Sequence, residues 1–107
     1  MILSDELRDR LIRADPERGT VIKQKLYIRC ENKVVGVLTD RTISHDGEIL
    51  WYMISTLRRR WLEIRNEPES RERDVLAEFG RTSILDKSDQ EIVLGFCEWK
   101  EVCNAIA

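Results

Sequence analysis

Apolar positions along this chain fall into two clear helical rhythms. Between Gly47 and Asn66, in GEILWYMISTLRRRWLEIRN, Leu50, Met53, Ile54, Leu57, Trp61 and Ile64 recur at steps of three and four, the spacing of one face of an α-helix. That stripe is wide and bulky enough to floor the core of a small domain. A four-three-four-three rhythm runs through Ile92, Phe96, Trp99, Cys103 and Ile106, predicting a helix over Ser88–Ala107. Ser88-Asp89-Gln90-Glu91 opens it with the pattern of a capping box, in which the serine accepts from a backbone amide and the glutamate reaches back. Gly95 lies inside this helix and costs up to about 1 kcal/mol against alanine, which points to a close helix–helix approach there.

The remaining pattern is weaker. Ser4 or Asp5 caps a first helix with Leu3, Leu7, Leu11 and Ile12 on one side, too short to stand without docking on a core. Asp15-Pro16-Glu17-Arg18-Gly19 is a turn, since proline and glycine both break the periodicity. From Thr20 to Cys30 the period becomes two. Ile22, Leu26, Ile28 and Cys30 alternate with Lys23, Lys25, Tyr27 and Arg29, as in a strand with one buried face. Glu31-Asn32-Lys33 connects it to a second strand, Val34–Leu38, and the two predict an antiparallel hairpin. Two strands are rarely stable alone, so the pair calls for a covering helix or a third strand.

Thr39 to Asp46 admits two readings. Ser44 or Asp46 can cap the central helix, with Glu48 favourable in its first turn. Alternatively Asp46-Gly47 turns a hairpin between strands near Arg41–Ser44 and Glu48–Met53. Helix is preferred, because the three-four stripe continues unbroken to Ile64. Pro68 ends that helix. A shorter one follows over Glu69–Phe79, burying Val75, Leu76, Ala77 and Phe79 and closed by Gly80. Its charge-dense start, Glu69, Arg71, Glu72, Arg73 and Asp74, reads as a solvated face. Arg81–Lys87 is a connection or holds a short strand at Thr82–Leu85. The expected fold is α+β, one domain over residues 1–107, in the order α-β-β-α-α-α. Its hairpin packs on the Gly47–Asn66 helix, with the Ser88–Ala107 helix alongside.

Composition narrows the class. A chain of 107 residues, 42% hydrophobic and 36% charged, is normally one globular domain able to bury a core without metal or disulfide. No apolar run approaches the roughly 20 residues of a membrane-spanning helix. MILSDELRDR turns charged after three residues and has no signal-peptide core, so a reducing cytoplasm is expected. Cys30, Cys97 and Cys103 agree with that: they contain no CxxC, sit among apolar neighbours and read as buried, inert thiols. On a helix, a spacing of six points Cys97 and Cys103 apart, so no zinc site is supported.

Candidate chemistry is sparse. His45 is the sole histidine, and no serine or cysteine can be assigned to it by spacing. Neither GxGxxG nor a phosphate loop occurs, so no catalytic, metal-binding or cofactor-binding residue is assigned and a non-enzymatic protein is expected. Arg58-Arg59-Arg60 with Arg65 resembles a phosphate-binding run. Consecutive helix positions fan out over about 200°, however, and Glu63 can pair with Arg59 or Arg60. The formal net charge is -2, without a dominant pull on nucleic acid.

Trp51 lies off the core stripe, in line with Ser55, Arg58 and Leu62 at steps of four, three and four. Tryptophan, arginine and leucine beside a small residue suit a protein interface. The leading expectation is therefore an interaction or regulatory module that forms a homodimer, or binds another protein, through Trp51, Ser55, Arg58 and Leu62. The alternative is a nucleic-acid-binding module using Arg58, Arg59 and Arg65, with Arg41, Arg71 and Arg73 in support. Third comes an apolar pocket near Trp61 and Trp99 for a small ligand.

Overall fold

Helix dominates the computed structural model of this chain. Residues 1–14, 36–38, 47–80 and 87–105 are described in full; 19–22, 25–30, 33–35, 43–44, 46 and 106 are described by backbone element alone. In chain order the elements are α1 (Asp5–Ala14), β1 (Gly19–Ile22), β2 (Lys25–Cys30), β3 (Lys33–Leu38), β4 (Ile43–Ser44), α2 (Asp46–Ile64), α3 (Arg71–Gly80) and α4 (Asp89–Ile106).

The expected α+β hairpin architecture is overturned. Among the residues described in full, 79% are helical, in four helices, and one short stretch of strand, 36–38, falls among them. The backbone trace through the remaining strands pairs β2 with β3 antiparallel but does not stop at two strands. It runs as an antiparallel meander in the order β1-β2-β3-β4. The stretch expected as one strand over Thr20–Cys30 is divided: Gly19 stands opposite Ile28 and Ile22 opposite Lys25. That pairing reverses the odd–even count between the two halves, which a reading by period alone conceals. The packing of Ile22, Leu26, Ile28 and Cys30 lies outside the described residues, as do His45, Arg41 and the segment 82–85. The stretch 48–53, which also tolerates a strand, is helical within α2.

The chain divides into two compact units, Met1–Tyr52 and Met53–Ala107, with the boundary inside α2. In the first unit Ser4 is the cap of α1. Its Oγ accepts from the Leu7 amide at 3.2 Å, satisfying one otherwise orphaned donor, and its carbonyl accepts the first intrahelical bond, from the Arg8 amide at 2.9 Å. Leu3, Leu7, Leu11 and Ala14 are buried; Ile12, expected beside them, is only half-buried. Leu38, Ile49 and Tyr52 are also buried.

The second unit buries Met53, Leu57, Trp61 and Ile64 of α2 with Val75, Leu76 and Phe79 of α3 and Ile92, Val93, Phe96 and Cys97 of α4. The capping box forms as expected, with the Glu91 amide donating to Ser88 Oγ at 3.2 Å and the Ser88 amide to Glu91 Oε2 at 3.3 Å. Two glycines make the helices approach closely. A Cβ on Gly95 would overlap the Phe79 ring, and one on Gly80 would overlap the Trp61 indole. Gly80 therefore serves as a seat for Trp61, with no left-handed backbone at this helix end.

Candidate functional site

Ser70 decides which way the start of α3 faces. Its Oγ accepts from the Arg73 amide at 3.1 Å and its carbonyl accepts from the Asp74 amide at 3.0 Å, so the helix begins at Arg71. Glu72 then stands three, four and seven residues before Val75, Leu76 and Phe79, on the same buried face. Its side chain is 13% exposed. The expectation of a fully solvated start to this helix is corrected at that residue.

The Glu72 carboxylate fastens three helices. Oε2 accepts from Arg60 Nε of α2 at 3.0 Å and Oε1 from Arg60 Nη2 at 3.1 Å, a two-pronged guanidinium–carboxylate pair. Trp99 Nε1 of α4 donates to Oε2 at 2.8 Å, and Cys103 Sγ lies 3.7 Å from the same oxygen. Arg60 Nη1 also reaches Glu63 Oε2 at 3.1 Å. Trp99 is held by a tilted ring contact with Phe96, centroids 6.0 Å apart, and by Lys100 Nζ, 5.6 Å from its centroid.

The electrostatics follow from these contacts. Hydrogen bonds from Arg60 hold the Glu72 carboxyl below its ordinary value, against the opposing effect of burial, and the Trp99 indole adds to the shift. The same pair, with Glu63, raises the guanidinium further. Burial, then the neighbouring Glu72 charge, pushes the Cys103 thiol up. A thiol kept protonated is a poor nucleophile, and a carboxylate held ionised by strong donors is a poor proton acceptor. The cluster is a fastening. Neither Cys97 nor Cys103 forms a disulfide among the described residues; Cys97 is buried as expected, whereas Cys103 is only half-buried.

The arginine run is broken up by this fastening. Arg58, Arg59 and Arg65 are exposed, while Arg60 is half-buried and committed to Glu72 and Glu63. Arg73 turns its Nε back to the Arg65 carbonyl at 3.2 Å. Of the two local pairings open to Glu63, the one present is with Arg60. On the other seam, Trp51 is 70% exposed and Leu62 61% exposed, with Ser55 half-buried and Arg58 exposed between them.

A groove not foreseen from the sequence opens between α3 and α4, with a volume of about 390 Å³. Val75, Phe79, Leu94 and Gly95 form its floor; Asp74 and Glu78 line one side and Glu91 and Glu98 the other, with Arg71 and Lys87 also present. Lys87 Nζ lies 5.1 Å from the Phe79 ring centroid and 3.9 Å from Glu78 Oε2. The tryptophans of the expected apolar pocket do not line this groove: Trp61 is buried and Trp99 is fastened to Glu72. A sequence signal did exist, in the acidic residues at steps of four on α3 and seven on α4 flanking apolar positions.

Among the described residues, no group of three or more His, Cys, Asp or Glu side chains is placed to hold a metal ion. No helix there is long and apolar enough to cross a membrane. No family model, curated protein or solved structure matches the chain.

Proposed function

We propose that the protein is a non-enzymatic interaction module that assembles with a second copy of itself through the α2 face bearing Trp51, Ser55, Arg58 and Leu62. The observation that carries this is Trp51, an indole 70% exposed on α2. An isolated exposed apolar residue is ordinary. A tryptophan and a leucine in line on one helix face, with an arginine between them, have the composition of an interface centre. Truncating a tryptophan at such a centre often costs about 2 kcal/mol or more of binding. A reducing cytoplasm is the compartment proposed with it, in keeping with Cys97 and Cys103 forming no disulfide among the described residues. Nucleic-acid binding through Arg58, Arg59 and Arg65, all exposed, has less support, because a formal net charge of -2 gives the chain no dominant pull on phosphates.

The test is light scattering across a dilution series, with circular dichroism on variants. The wild type is expected to form a dimer that dissociates on dilution. Trp51→Asp and Leu62→Asp are expected to be monomeric with unchanged helical content. A wild type that stays monomeric at high concentration overturns the proposal.

A further inference from the structure

We infer that the surface which receives the Trp51–Leu62 face is the α3–α4 groove of a second copy of this chain. The inference rests on the assembly proposed above and names its other half. The groove offers an apolar floor, Phe79 and Leu94 among its residues, between carboxylates from both helices: Asp74 and Glu78 from α3, Glu91 and Glu98 from α4. Among the described residues, four acidic side chains against two basic ones, Arg71 and Lys87, make it a receptor for a cationic, apolar segment. The α2 face supplies that chemistry. No acidic residue stands between Ile49 and Leu62, Trp51 and Leu62 are exposed, and Arg58 and Arg59 are exposed on the same helix.

The groove already accommodates a cation of its own chain. Lys87 Nζ sits over the Phe79 ring, 5.1 Å from its centroid, with Glu78 3.9 Å away. A cation is thus held there beside a carboxylate, over a buried ring, and the flanking carboxylates are what an incoming arginine would meet. The mode is a helix laid in a groove, with anchors spaced one face apart at positions 51, 55, 58 and 62. Exchanged reciprocally between two copies, the contact is isologous and closes a dimer.

A charge exchange tests this. Arg58→Glu places a carboxylate against the acidic groove, and the double variant Asp74→Arg, Glu98→Arg places arginines against Arg58. Each alone is expected to raise the dilution midpoint of the dimer by about tenfold or more, since apposed like charges weaken association strongly. Mixed one to one, the two variants are expected to form a heterodimer near the wild-type midpoint, because both reciprocal contacts are again complementary. The milder Asp74→Asn, Glu98→Gln is expected to weaken the dimer in the same direction with unchanged circular dichroism. An unchanged midpoint in both groove variants, while Trp51→Asp still abolishes the dimer, overturns the groove and leaves the assembly standing. Failure of the mixture to associate better than either variant alone also overturns the groove, and a monomeric wild type removes both.

Discussion

At the scale of single residues, Glu72 is the position with the most consequence. Its place on the buried face of α3 is legible from the spacing to Val75, Leu76 and Phe79 once Ser70 is the cap. Its partners were not legible, because Arg60 lies 12 residues before it and Trp99 27 residues after it. Glu72→Gln keeps the shape and removes the charge. At neutral pH it should lower stability by about 1–2 kcal/mol, the scale of a charge-assisted bond discounted for the half-exposed Arg60. The pH dependence has a definite sign. A carboxyl whose folded pKa lies below its ordinary 4.5 stabilises the fold above that value, and the contribution is lost as pH falls through the folded pKa. Urea denaturation at pH 7 and near pH 3 should show the gap between wild type and Glu72→Gln narrowing in acid. An equal gap at both values would mean that the carboxylate charge does not matter.

At the scale of elements, caps and close approaches decide where helices end and how they meet. Ser88 and Glu91 form the box that their spacing announces, whereas the charges that follow Ser70 mask its capping role. The glycines give a sharper contrast. Alanine favours an exposed helix interior over glycine by up to about 1 kcal/mol, but the Trp61 ring lies where a side chain on Gly80 would go. Gly80→Ala and Gly95→Ala should each lower stability by about 1–3 kcal/mol, the cost of overpacking. Among the described residues nothing stands near a Cβ on Gly47, so Gly47→Ala should leave stability unchanged or raise it by about 0.4–1 kcal/mol. Chemical denaturation of the three variants checks the order; a stabilised Gly80→Ala would mean that Trp61 yields freely.

At the scale of the whole molecule, charge bears on the choice of partner. With 18 basic and 20 acidic side chains and Arg60 held by Glu72, few arginines can neutralise phosphates together. Binding to generic duplex DNA should be weak at low salt and vanish by roughly 200 mM. Fluorescence anisotropy with a labelled duplex at stepped salt measures this. Tight binding that survives 200 mM salt and disappears in Arg58→Ala or Arg65→Ala would make nucleic acid the partner in place of a second copy.

The sequence by itself determined what depends on neighbours within a turn or two. The central and C-terminal helices, the Ser88 cap, the buried Leu57 and Trp61, and a Trp51 turned away from the core all follow from a 3.6-residue period and local hydrogen bonding. Tertiary structure decided what depends on which turn of one helix meets which turn of another. The division of the expected Thr20–Cys30 strand was hidden because a reversal shifts the alternating count without leaving a distinct residue signature. Glu72 turning inward, Gly80 receiving Trp61 and the acidic sides of the α3–α4 groove were hidden for a related reason. Each is a relation between residues on different helices, and periodicity along one helix carries no information about its neighbour's register.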